Sequence, residues 1–288
     1  MRTRPRTRSS APVPREAGEH LPRPLVPAWK DVRWPVIGML HLPALPGAPR
    51  NRHDLAAISA HVLRDADVLV GGGAQGLLLE NFGDSPFYPD RVPASVVAQM
   101  TVLAGAVLRR FDVPLGINVL RNDGSSALAV AHAAGAQFIR VNVLCGARVT
   151  DQGVIEGRAH EILRARRLLG ADDVRILADV DVKHSAPLGT PRPIEDEVAD
   201  LLERGGADAI VVSGSATGRP TDLEQLLRVH AAACGAPVFV GSGVTPESIG
   251  TLAAHADGFI VGTALKMDGV ATNPVDPARV RALLSALG

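Results

Sequence analysis

The sequence predicts an α/β protein, a single (β/α)8 TIM barrel over residues 31–288 behind a disordered tail over residues 1–30. Three observations predict it. From Pro35 onward, short β-branched or leucine-rich runs alternate with longer amphipathic segments, the pattern of repeated βα units. Eight such runs occur, enough to close a parallel barrel. The chain beyond the tail has the roughly 250 residues that such a barrel takes.

Taken in order, residues 1–30 are rich in Arg and Pro and carry almost no apolar period, so they bury too little surface to offset ordering entropy. Arg2, Arg4, Arg6 and Arg8 are read as a solvated terminus rather than a contact with an anionic surface. The first strand spans Val36 to Leu40, and the helix after it sets Leu55, Ile58, Val62, Ala66 and Leu69 on one face. Gly71-Gly72-Gly73 follows that helix and is read as its stop. Further strands are expected at Gly76 to Leu79, Pro114 to Val119, Phe138 to Val143, Arg175 to Ala178, Ala209 to Val212, Pro237 to Val240 and Gly258 to Val261. Val198, Leu201 and Leu202 share a helical face, Asp222 and Pro246 mark helix starts, and Asp276-Pro277 supplies a cap and a first-turn proline. An open doubly wound sheet is the competing arrangement, but the first strand lacks the GxGxxG turn of a dinucleotide binder.

Composition narrows the function classes. Thirty basic and thirty acidic residues cancel, leaving no global field to attract nucleic acid or an anionic membrane. Aromatics are only 3%, so the core is built from Ala, Val, Leu and Ile, as suits parallel strands buried on both faces. Cys145 and Cys234 have neither CxxC spacing nor a histidine cluster, which argues against a disulfide framework or a zinc site. No apolar stretch approaches the roughly 20 residues of a membrane span, and the N-terminus lacks the apolar region of a signal peptide, so a cytoplasmic protein is expected. The sequence leaves homo-oligomerisation open.

Gly241-Ser242-Gly243 and Gly262-Thr263 each follow a short apolar run. In a (β/α)8 barrel the loops after strands seven and eight present backbone N–H groups to one phosphate, and glycine lets the main chain come close to the anion. Gly214 and Ser215, after the sixth strand, would add a further wall. The expected partner is therefore a phosphorylated small molecule. The competing reading is that these glycines only make tight βα turns.

Chemistry in such barrels sits at the C-terminal strand ends, and here nearly every end is polar. The first delivers His41, the second Glu80 and Asn81, and the third Asn118, with Arg121 and Asn122 just beyond. The fourth carries Arg140 and Asn142, and the fifth leads into Asp179, Asp181, Lys183 and His184. Side chains alternate along a strand, so Asp179, Asp181 and Lys183 are expected to point together toward the mouth. Asp181 and Lys183 lead the candidates for acid–base catalysis, with Glu80, Asp179 and His41 beside them; the competing reading is an ion-pair network bracing the rim. Glu80 across the barrel from Asp181 would let protons arrive and leave on opposite faces. His41 reads equally as a proton shuttle or as a packed ring between Leu40 and Leu42. Asn81, Asn118, Asn142, Arg140 and His184 are expected to bind substrate, Asn118 and Asn142 by orienting hydroxyls and Arg140 by meeting a second anionic group. No cofactor is predicted. Glu80, Asp179 and Asp181 are hard donors suited to a divalent ion, but no ligand spacing specifies one.

Several motifs together resemble the BtpA/SgcQ-type family, grouped with ribulose-phosphate-binding barrels: Gly38-Met39-Leu40-His41-Leu42-Pro43, Glu80-Asn81-Phe82-Gly83-Asp84, Ile139-Arg140-Val141-Asn142, Ala178 through His184, Gly241 through Thr245, and Asp257 through Thr263. The resemblance runs from about Val36 to the C-terminus. It implies the barrel and the phosphate cup. It does not supply a reaction: the polar rim and the cup read either as an enzyme acting on a phosphorylated sugar or ribonucleotide-like molecule, of isomerase, lyase or glycosyl-transfer type, or as a non-catalytic assembly factor that binds a protein partner.

Overall fold

The computed structural model describes residues 24–182, 184–214 and 222–288. Its strands are β1 (Val36–His41), β2 (Gly76–Glu80), β3 (Leu115–Asn118), β4 (Phe138–Val141), β5 (Ala147–Thr150), β6 (Gly153–Glu156), β7 (Arg175–Val180), β8 (Ser185–Pro187), β9 (Ala209–Val212), β10 (Val238–Val240) and β11 (Gly258–Val261). Eight of these, in the order β1-β2-β3-β4-β7-β9-β10-β11, pair in parallel and close a barrel. The seam is the β1–β11 ladder, with Val36 opposite Phe259 and Gly38 opposite Val261. Eight α-helices cover its outside among the described residues: α1 (Leu55–Gly71), α2 (Ala94–Arg110), α3 (Gly124–Ala134), α4 (Ala159–Leu169), α5 (Ile194–Ala199), α6 (Leu223–Ala232), α7 (Pro246–Ala253) and α8 (Pro277–Ser285). The predicted barrel is thus the observed one.

Local chemistry explains the element ends. Asp222 and Asp276 cap α6 and α8 by accepting from Glu224 N and Ala278 N at 3.0 and 2.8 Å. Thr245 and Ser248 form a reciprocal cap around Pro246 at the start of α7. Helix α1 stops in the glycine triplet, where Gly73 takes a φ of 101°.

Inward-facing residues of alternate strands fill the barrel in layers. At the N-terminal end Phe138 and Phe239 occupy the space that Gly116 and Gly258 leave; a Cβ on those glycines would come within 2.0 and 2.4 Å of the rings. Trp29 closes this end, its ring 5.8 and 6.2 Å from the two phenyl rings and its Nε1 donating to the Gln75 carbonyl at 2.7 Å. Leu25 and Val26 are buried with it. These three fall inside the segment read as tail, so the packed domain begins by Leu25 rather than at residue 31. The reason is local: three apolar side chains in a proline-rich stretch suffice to plug an open barrel end, though they make no periodic pattern.

A second sheet has no counterpart in the sequence reading. β5 and β6 form a hairpin after β4, and β8 adds to β5 on its other edge, all antiparallel. This small sheet follows the C-terminal ends of β4 and β7, and its Arg148 takes up one of the rim candidates, Asp181.

Candidate active site

A cavity of about 880 Å³ opens at the C-terminal end of the strands. One wall is made by Gly241, Ser242, Gly243, Val244 and Thr245 after β10, and by Gly262, Thr263 and Ala264 after β11. These loops are neighbours because β10 and β11 pair, Phe239 opposite Gly258. Gly243 takes a φ of 66°, and Thr263–Leu265 forms a single 3₁₀ turn, of which Thr263 and Ala264 line the cavity. The residues expected to cradle a phosphate therefore converge, except for two. Gly214 is buried beyond β9 and is not among the residues lining the cavity, and Ser215 lies outside the described residues.

The floor is polar and fully packed. Arg140 grips Asp179 with two bonds, Nε to Oδ1 at 2.8 Å and Nη2 to Oδ2 at 2.9 Å. Asn142 donates to the same Oδ2 at 2.8 Å, and Arg140 Nη2 reaches Ser213 Oγ at 3.4 Å. Asn118 braces the layer through the Arg140 carbonyl at 3.0 Å. Burial works against the Arg140 charge, but the two contacts with Asp179 outweigh it and hold its pKa above the ordinary value. Arg140 and Asn142 line the cavity, whereas Asp179 is spent beneath them.

On the β1–β2 side, His41 and Glu80 stand together, Nε2 to Oε1 at 3.8 Å. The His41 ring stacks on Phe82 at 4.5 Å, and its Nδ1 lies 3.0 Å from the carbonyl of Ala271. A carbonyl only accepts, so Nδ1 carries a proton and, in the neutral ring, Nε2 carries the electron pair. Gly262 gives this ring room: a Cβ there would lie 3.0 Å from Cε1 and 3.2 Å from Nε2. The His41–Glu80 pair therefore borders the loop after β11.

Asp181 departs from the expected arrangement. β7 ends at Val180, and Asp181 takes a left-handed φ of 49°, which breaks the alternation that would have kept it in line with Asp179. It turns to the small sheet instead, bonded by Arg148 Nη2 at 2.7 Å and by Gln225 Nε2 at 3.0 Å. Glu80 and Asp181 thus do not face each other across the cavity. Nor do Glu80, Asp179 and Asp181 converge as a donor set; among the described residues no group of three or more His, Cys, Asp or Glu is placed to hold a metal ion. Lys183 lies outside the described residues. His184, with a φ of 55°, lines the cavity. Asn81 lies beneath it, accepting from Leu120 N at 2.7 Å and donating to Asp84 Oδ2 at 3.2 Å, so it shapes the loop after β3.

Arg121, expected just beyond the third strand, reaches the cavity, and so do four residues that the sequence did not single out: Arg50, His53, His61 and Asp151. Arg121 is buried, and that burial lowers its pKa against the opposing fields of Asp179, Asp151 and Glu80. One signal was present for His61. Asp65 sits on the apolar stripe of α1 with Ile58, Val62, Ala66 and Leu69, and a charge on such a stripe demands partners. Asp151 sits at the turn of the β5–β6 hairpin, which the sequence did not reveal. No described helix is long and apolar enough to cross a membrane.

Comparison with known proteins agrees with the motifs. The sequence pattern of the BtpA family matches residues 32–288. The photosystem I biogenesis protein BtpA of Synechocystis sp. is 49% identical over 253 residues, 88% of this chain and 88% of that protein. An uncharacterized protein of Pyrococcus furiosus is 46% identical over 250 residues, covering 87% of this chain and 93% of its own length. In fold, the chain resembles the N-(5'-phosphoribosyl)anthranilate isomerase of Pyrococcus furiosus, with a TM-score of 0.54 at 14% identity over 88% of this chain and 98% of that one. The chain belongs to the BtpA family.

Proposed function

We propose that this barrel is an enzyme that binds a phosphorylated sugar or ribonucleotide-like small molecule and transforms it by acid–base chemistry. The observation that carries the reading is the sharing of one cavity by the loops Gly241–Thr245 and Gly262–Ala264 with His41, Glu80 and Arg140. The solved barrel named above acts on a phosphoribosyl compound by its name, which supports the same class of ligand. Phosphate held at the β10 and β11 loops would fix the reacting carbon against His41 and Glu80, turning binding energy into orientation. His41 would take a proton on Nε2, with Glu80 beside it stabilising the charge or returning a proton. Arg140, held rigid by Asp179, would orient oxygens of the substrate with Asn142. This fits isomerisation, lyase or glycosyl-transfer chemistry.

The test is turnover of a panel of phosphosugars and nucleotides by wild type and by His41→Asn and Glu80→Gln. Each variant is expected to lose on the order of 10²-fold or more in kcat with an unchanged melting temperature. Full activity in both would refute the roles assigned. A second reading, an assembly factor that binds a protein partner, draws on the 49% identity to a photosystem I biogenesis protein. It predicts a stable protein complex that survives both substitutions in a protein with no turnover on the panel.

A further inference from the structure

Outside the cavity proper, one buried charge cluster links α1 to the segment that follows β11. Lys266 is 1% exposed and Asp65 3%. Lys266 Nζ meets Asp65 Oδ2 at 2.5 Å, and Asp65 Oδ1 accepts from Val275 N at 2.9 Å. His61 Nε2, on the cavity wall, lies 3.6 Å from the same Oδ2. Burial pushes the Lys266 pKa down while Asp65 holds it up, so the pair is kept together by mutual need.

The segment between the two anchored residues is a closed loop. Lys266 bridges Val275, Met267 N donates to the Pro274 carbonyl at 2.9 Å, and Asp276 N returns to the Leu265 carbonyl at 2.8 Å. Two features of the cavity ride on it. The 3₁₀ turn Thr263–Leu265 immediately precedes Lys266, and Ala271, whose carbonyl holds His41 Nδ1, sits midway along the loop.

We infer that Asp65 and Lys266 are positioning residues, which fix through one loop both the phosphate-facing turn and the tautomer of His41. Neither lines the cavity. Their effect reaches His41 through the Ala271 carbonyl: with the loop anchored, Nδ1 stays the protonated nitrogen and Nε2 stays the basic one. A mere staple between α1 and the loop would add stability without selecting a ring tautomer.

The inference rests on the reading of His41 as the proton carrier, and its test uses no turnover, so the two can fail separately. The ¹⁵N shifts of His41 are measured in the full-length protein above the imidazole titration range, with the resonance assigned by its loss in His41→Gln. In wild type, Nδ1 is expected to give a protonated, pyrrole-type shift and Nε2 a pyridine-type shift. In the double variant Asp65→Leu/Lys266→Met, which removes both buried charges together, the two shifts are expected to move toward each other as the tautomers mix. Asp65→Asn is expected to retain the bond to Val275 and shift them part of the way, and it serves if the double variant does not fold. Unchanged His41 shifts in either folded variant, or a wild-type ring protonated on Nε2 alone, would overturn the inference.

Discussion

Asp179 offers the sharpest test of how the cavity floor is held. Asp179→Ala removes three hydrogen bonds, two from Arg140 at 2.8 and 2.9 Å and one from Asn142 at 2.8 Å. It leaves the guanidinium, with only 3% of its side chain exposed, without its carboxylate. Breaking a buried pair from one side destabilises by about 3–5 kcal/mol. For a domain of this size each kcal/mol moves the melting temperature by roughly 2–4 °C, so a fall of about 6–20 °C is expected. Replacing both partners, as Arg140→Met/Asp179→Leu, removes the desolvation penalty with the attraction and is expected to leave stability near wild type. The assay is urea and thermal unfolding of wild type, Asp179→Ala, Arg140→Met and the double variant, read as a double-mutant cycle. A loss under about 1 kcal/mol for Asp179→Ala, or single effects that simply add, would refute the claim that the pair is one buried unit.

Trp29→Ala should destabilise by about 3–5 kcal/mol, because it empties the barrel's N-terminal plug; urea denaturation measures it, and a loss below 1 kcal/mol would contradict that role. Gly262→Ala sets a methyl 3.0 Å from the His41 ring. The displaced ring is expected to lower kcat by roughly 10-fold or more while the melting temperature changes little; unchanged kcat would argue against His41 as the proton carrier. Burial lowers the His61 pKa below 6.5, against the pull of Asp65. The unfolded chain then binds the extra proton first, so this contribution to stability is complete above pH 6.5 and lost as pH falls through the lower folded value. His61→Gln should flatten the acid side of a plot of melting temperature against pH, and coincident plots would refute this.

The eight barrel strands were legible because parallel strands buried on both faces read as continuous apolar runs. Helix starts at Asp222, Pro246 and Asp276 were legible because capping is written in adjacent residues. The site was legible in part. His41, Glu80, Arg140 and Asn142 lie at strand ends where alternation holds, and their placement follows from register. Asp181 was misread because one left-handed residue reverses the direction that alternation gives, and nothing in Asp179-Val180-Asp181 announces it. β5, β6 and β8 are short and largely exposed, so they carry no apolar signature. The pairing of Asp65 with Lys266 spans 201 residues, and only the tertiary fold brings them together.

A phosphate held by the β10 and β11 loops is the feature on which the proposed function stands. It is tested most directly by measuring the melting temperature with phosphosugars, nucleoside monophosphates and their unphosphorylated counterparts, in wild type and in Ser242→Asp. Stabilisation is expected from phosphorylated ligands alone, and none in the variant, where the added carboxylate repels the anion. Equal stabilisation by both forms of a ligand, or a shift that survives Ser242→Asp, would contradict it.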